Sequence, residues 1–222
     1  MNSYLNRLII ILSVISSGNR IVAQPVNTPD SNGAYKKVNI SFMLRGYFYA
    51  GSAIKDTVAP GGFAHSDNLP KSIINEISQW ENLPELALFI DTTATTKFAD
   101  GYEGYKAFLI NKTGKIMSFP GSDSLLSIIA EVFHSGSWMP VEYLPSSWCG
   151  NSYHTMYLEA NKYWEFDVPR YSGKLKTRLR YKLTADNKKI FYSNEITTSV
   201  NRKQFTEKQG HNPQGIMDPY ND

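Results

Sequence analysis

The stretch Ala160–Leu183 limits what this chain can fold into more than any other part of it. In its first half Trp164, Phe166 and Val168 share one face, and Tyr163, Glu165 and Asp167 the other. In its second half Leu175, Thr177, Leu179, Tyr181 and Leu183 share one face, and Lys174, Lys176, Arg178, Arg180 and Lys182 the opposite one. Side chains along a strand point alternately to the two faces of a sheet, so a period of two spells a strand with one face in a core. The link Pro169-Arg170-Tyr171-Ser172-Gly173 has Pro at its start and Gly at its end, which is turn chemistry. Two strands joined this way are expected to pair. One register sets Asp167 against Lys174 and Glu165 against Lys176. A shift by one sets Phe166 against Lys176 and Trp164 against Arg178.

The rest of the chain reads mostly as β. Leu86–Asp91 is apolar and then Thr-rich. Tyr105–Asn111 and Lys115–Phe119 flank Lys112-Thr113-Gly114, a hairpin signal. Ser124–His134 fits helix or strand by periodicity, and Ile128, Ile129 and Val132 favour strand. Trp138–Leu144 contains Pro140 and so suits an edge. His154–Leu158 and Lys189–Ser199 complete the set. About seven to nine short strands with turns every ten or so residues predict an all-β, immunoglobulin-like antiparallel β-sandwich. The paired cysteines of antibody domains are absent, so the likeness is one of architecture.

The expected organisation has four parts. Residues 1–23 read as a signal peptide. A polar start ends at Arg7, an apolar run covers Leu8–Ile15, and Ile21-Val22-Ala23 offers a small-residue cleavage site. The apolar run is shorter than the ~20 residues that span a bilayer. Residues 24–85 are an N-terminal extension. It comprises a flexible leader, a strand beginning at Val38, a loop over Gly51–Asn68 and a short helix over Leu69–Glu81. In that helix Ile73, Ile74, Ile77 and Trp80 would form one apolar face, with Trp80 in the core. Residues 86–205 form the sandwich, and 206–222 a flexible tail.

Charge gives little. Two of the 23 cations leave with the signal peptide, so 21 face 20 acids and the mature chain carries +1. Neither nucleic acid nor an anionic membrane is implied by so small a net charge. Cys149 stands alone, which excludes an internal disulfide framework and fits a bacterial envelope protein; its ordinary fate is burial as a small hydrophobe. With no Cys near the cleavage site, a lipoprotein is not expected.

Three groups of residues invite a functional reading. The cations Lys176, Arg178, Arg180 and Lys182 on one strand face could hold an anionic glycan or a lipid headgroup; the ordinary alternative is a solvated face with acidic partners. Cys149 and His154, five residues apart, offer a nucleophile and a base, with no sequence around them that activates a thiol. Among the aromatic residues, Trp164 and Trp138 suit the core, while Trp148, between Pro145 and Gly150, suits an exposed loop that could stack on a sugar. Asp91, Asp100 and Glu103 surround one loop without a metal-binding spacing. No motif calls for a metal or a cofactor. The sequence thus reads as an exported, non-enzymatic binding or structural module of a bacterial cell envelope, periplasmic or extracellular. Its expected partner is an anionic glycan, a lipid headgroup or an envelope protein, met through Lys176, Arg178, Arg180 and Lys182, with Trp148 second. No sequence-specific nucleic acid and no transmembrane segment is expected. The rival reading is a secreted or periplasmic enzyme acting on glycan or peptide through Cys149 and His154.

Overall fold

A computed structural model describes residues 35–73, 80–99, 101–147, 149–206 and 208. The expected signal peptide, the expected leader up to residue 34, the middle of the expected helix, Trp148 and most of the expected tail lie outside them.

The chain is all-β. Its strands in order are β1 Leu44–Arg45, β2 Lys71–Ser72, β3 Leu86–Phe98, β4 Tyr102–Asn111, β5 Met117–Ser122, β6 Leu125–Leu126 and β7 Ile128–His134. They continue with β8 Ser137–Pro140, β9 Glu142–Tyr143, β10 Tyr153–Leu158, β11 Lys162–Pro169, β12 Leu175–Thr184, β13 Ile190–Tyr192 and β14 Ile196–Val200. One sheet has the order β2-β11-β4-β3. A second runs β13-β12-β7-β8, with β14 also on β12. A third, smaller sheet is β10-β5-β6, and β1 lies parallel to β9. All other named strand pairs are antiparallel.

The alternation in Ala160–Leu183 is obeyed face by face. Trp164, Phe166 and Val168 of β11 and Leu179, Tyr181 and Leu183 of β12 are all buried in one core. The two strands do not pair, however, and neither expected register occurs. β11 pairs with β4, so Asp167 stands opposite Lys106, and β12 pairs with β7, so Arg180 stands opposite Glu131. The link after Pro169 is an arch that carries the chain from one sheet to the other. Two apolar faces that must meet across a core belong to opposite sheets, and a hairpin would have put them side by side. Phe48 fills the space between them, its ring 5.1 Å from Phe166 and 5.3 Å from Tyr181, edge-on to both.

The same correction applies at Lys112-Thr113-Gly114. β4 and β5 lie in different sheets, and β4 pairs instead with β3, Phe98 standing opposite Tyr102. Asn111 explains the bend. Its buried amide nitrogen donates to the carbonyls of Lys115, Leu158 and Glu159, and its oxygen accepts from the backbone N–H and hydroxyl of Thr113. This Asx turn satisfies the backbone that a hairpin ladder would have satisfied.

Other expectations divide. Ser124–His134 is strand, as β6 and β7, and β8 with Pro140 is an edge strand. The start of the expected helix is instead the strand Lys71–Ser72, which pairs with Lys162 and Tyr163. Residues 74–79 are outside the description, but Trp80 is buried against Phe108 and Tyr163. Val38–Tyr49 is a series of short contacts rather than one strand. Val38 bridges to Tyr171 and Tyr49 to Leu125, with only β1 as regular strand between. Val38, Phe48 and Ala50 belong to the same core as the later strands.

Candidate functional site

On the outward face of β12 each cation has taken a position set by its neighbours. β7 places Glu131 and Phe133 beside it, and β8 places Trp138 next to Phe133. On the other side β13 brings Tyr192 opposite Lys182. Arg180 lies between two rings, its guanidinium carbon 4.0 Å from the centre of Trp138 and 3.6 Å from that of Tyr192. Its Nε and Nη2 both donate to Glu131 Oε2, at 3.3 and 3.1 Å. Lys182 reaches the other oxygen of Glu131 at 3.4 Å. Arg178 sits 4.6 Å over Phe133 and donates to Glu195 at 2.6 Å. Cations over aromatic faces gain about 0.5–2 kcal/mol each, the larger values when desolvated.

The four cations are therefore not equivalent. The side chain of Arg180 is 17% exposed and that of Arg178 is 53% exposed. Arg180 and Lys182 share Glu131, which is buried. Lys176 is exposed and has no ion-pair partner among the described residues. Glu165 and Asp167, the partners expected from sequence, are on the other sheet with Lys106. The acids that do pair, Glu131 and Glu195, come from strand and loop positions that no local spacing links to β12. Trp138 corrects the core reading: it is half-buried on the outward face under Arg180, while Trp164 is fully buried as expected. The alternation of Glu131 and Phe133 with buried Ala130 and Val132 is the signal that marks this face.

Cys149 and His154 are not brought together. Cys149 is half-buried in the loop before Gly150 rather than packed in the core. No hydrogen bond links its thiol to His154 among the described residues. The His154 Nδ1 is 3.1 Å from the Ser152 carbonyl, and its ring is stacked at 3.7 Å on Phe63. Asp91 caps its own Thr93, and Glu103 is paired with Arg170. No group of three or more metal-ligating side chains occurs among the described residues. Among those residues no helix is long and apolar enough to cross a membrane.

One polar centre escapes sequence reading altogether. Glu142, in β9, is fully buried. Its Oε1 accepts from the hydroxyls of Tyr47 and Tyr171, both at 2.7 Å, and its Oε2 accepts from the Ala130 N–H at 2.9 Å. The Tyr47 hydroxyl is also 3.0 Å from that of Tyr181. Tyr47 has one proton, and it goes to Glu142, so Tyr181 donates to Tyr47. Burial pushes the Glu142 carboxyl up to about 7, against the three donors, which favour its charged form. The same burial and the nearby carboxylate raise all three tyrosines.

Neither family models nor curated protein sequences nor solved structures give a match to this chain.

Proposed function

We infer that this chain is an exported, non-enzymatic binding module of the cell envelope, built on an immunoglobulin-like sandwich, that holds an anionic glycan along β12. One observation carries the reading. Arg178 and Arg180 hold their guanidinium groups over the rings of Phe133, Trp138 and Tyr192, and Lys176, with no ion-pair partner among the described residues, continues the line. Alternate residues of a strand are about 7 Å apart, so Lys176, Arg178, Arg180 and Lys182 span roughly 20 Å in a straight row. A linear polymer carrying repeated carboxylates, sulfates or phosphates matches such a row. Rings already holding the guanidinium groups reduce the side-chain entropy that binding would otherwise cost. The cysteine–histidine enzyme reading has no such support, since the two groups do not meet.

The geometry selects the test. Arg180 is too well packed to reverse, but Lys176 and Arg178 are accessible. The full chain is expected to be retained on immobilised heparin at low salt and released as salt rises, because exposed charges are screened. Lys176→Glu with Arg178→Glu should abolish retention. Lys55→Glu with Lys115→Glu, two exposed cations elsewhere, changes net charge equally and should leave it largely intact. Equal loss in both double variants, or no retention of the wild type, would refute the site. Anionic vesicles in place of heparin separate a headgroup from a glycan.

A further inference from the structure

The sheet β2-β11-β4-β3 is incomplete along one edge. β2 pairs only with Lys162 and Tyr163, and beyond them β11 has no further strand on that side among the described residues. Asn68 covers part of the gap. Its amide nitrogen donates to the carbonyls of Glu165 and Tyr49, at 3.0 and 3.1 Å. What remains open is a cleft of about 450 Å³ between β11, the end of β3 and the segment around Tyr47.

Two features of the cleft restrict what it can hold. The first is charge. Lys106 lies 2.6 Å from Glu165 and 2.9 Å from Asp167, and Lys71 lies 2.8 Å from the other Glu165 oxygen. Two ammonium groups thus alternate with two carboxylates, and the lining carries no net charge. Burial pulls the Lys106 pKa down, but the bonds to Glu165 and Asp167 outweigh it and leave it raised; the same lysines hold Glu165 low despite its burial. These contacts favour the charged forms of Lys106 and Glu165, and the ion pairs hold the side chains in place. Neither an anion nor a cation is favoured, whereas donors and acceptors alternate at hydrogen-bonding distance. The second feature is the wall. Phe98 and Tyr47 meet edge to face with ring centres 5.0 Å apart, and both are partly exposed. The hydroxyl end of Tyr47 is tied down by Glu142, so this ring is a fixed surface.

We propose that the cleft binds a neutral saccharide of one or two rings. A sugar hydroxyl donates and accepts at once, which suits adjacent ammonium and carboxylate groups. The C–H face of a pyranose suits an aromatic wall. The volume lies within the ~300–1,000 Å³ of small-ligand sites. This site is at the open edge of the other sheet from that of Arg178 and Arg180, and it stands whether or not β12 binds a polymer.

The experiment is saturation-transfer NMR on the full chain with glucose, galactose, mannose, N-acetylglucosamine and their common disaccharides. At least one is expected to bind saturably, with an affinity that hardly changes between low and high salt. Lys106→Met and Glu165→Gln should each weaken it about tenfold or more, since each removes a charge-assisted bond. Lys176→Glu with Arg178→Glu should not. In the wild type the bound sugar should slow acetylation of Lys71 and Lys106, read by mass spectrometry, and not that of Lys115. This labelling decides the matter if either cleft variant fails to fold. Failure of every sugar to bind, or binding that leaves Lys71 and Lys106 labelling unchanged, overturns the proposal.

Discussion

Glu142 is a carboxyl group placed where three donors ask for its charge and the surrounding core asks for its proton. Its native pKa, about 7, exceeds the ordinary 4.5, so between those values the folded chain binds more protons than the unfolded one. Stability then falls as pH rises. The contribution is intact below 4.5 and lost as pH passes about 7, a span worth about 3 kcal/mol at ~1.4 kcal/mol per pH unit. Glu142→Gln removes the titration. Its amide oxygen can serve both tyrosines, but its nitrogen then faces the Ala130 N–H, donor to donor. Urea denaturation should find the variant less stable than wild type near pH 5, by about 1–3 kcal/mol, with the gap closing or reversing near pH 8. Parallel curves across that range would show that Glu142 does not titrate there. Tyr171→Phe deletes a donor to the charged form and should move the wild-type midpoint to higher pH. Tyr181→Phe, one bond further out, should move it less.

At the scale of elements, the link between β11 and β12 shows what periodicity can and cannot say. Which residues are strand, and which face is buried, was legible in the two alternating runs. Whether the strands are neighbours was not, because a hairpin and an arch present the same alternation. What separates them is distant. The Val38 N–H donates to the Arg170 carbonyl, the Ser172 N–H donates to the Val38 carbonyl, and Tyr171 turns inward to Glu142. Gly173 completes the arch by close approach. A Cβ there would lie 2.2 Å from the carbonyl carbon of Val200 and 2.4 Å from its oxygen, both backbone atoms that cannot yield cheaply. Gly173→Ala should therefore destabilise the fold by about 2 kcal/mol or more, although a hairpin would have tolerated alanine in the same place. Chemical denaturation measures the loss. A neutral result would mean that the arch can shift away from β14. The candidate site follows the same rule. The row of cations was legible because it is local. Trp138, Tyr192, Glu131 and Glu195 were not, because each arrives on a different segment.

Across the whole molecule the question is what holds the two larger sheets together where no strand spans both. On one side the segment from β1 to Gly51 lies between them, with Phe48 against both, and it bonds to β9, to the smaller sheet and to β11. Gly46 donates to the Tyr143 carbonyl, Ala50 to that of Ser124, and the Trp164 indole to that of Gly51. On the other side the side chain of Asn194 contributes. Asn194, between β13 and β14, accepts from the Ile90 N–H at 2.7 Å and donates to the Ile90 carbonyl at 3.0 Å. Its amide takes the place of a neighbouring strand on the edge of β3, and that edge is where a sheet is open to unwanted pairing. Asn194→Ala would leave both Ile90 groups without their partner in a half-buried setting, at a cost of about 1–3 kcal/mol. The loss should be local in its signature. Hydrogen exchange at the Ile90 amide should speed up well beyond the global change, while the Glu142 midpoint stays where it was. If exchange rose only in step with global stability, the two sheets would be unfolding as one unit. Asn194 would then be a contributor to the core rather than the latch at its edge.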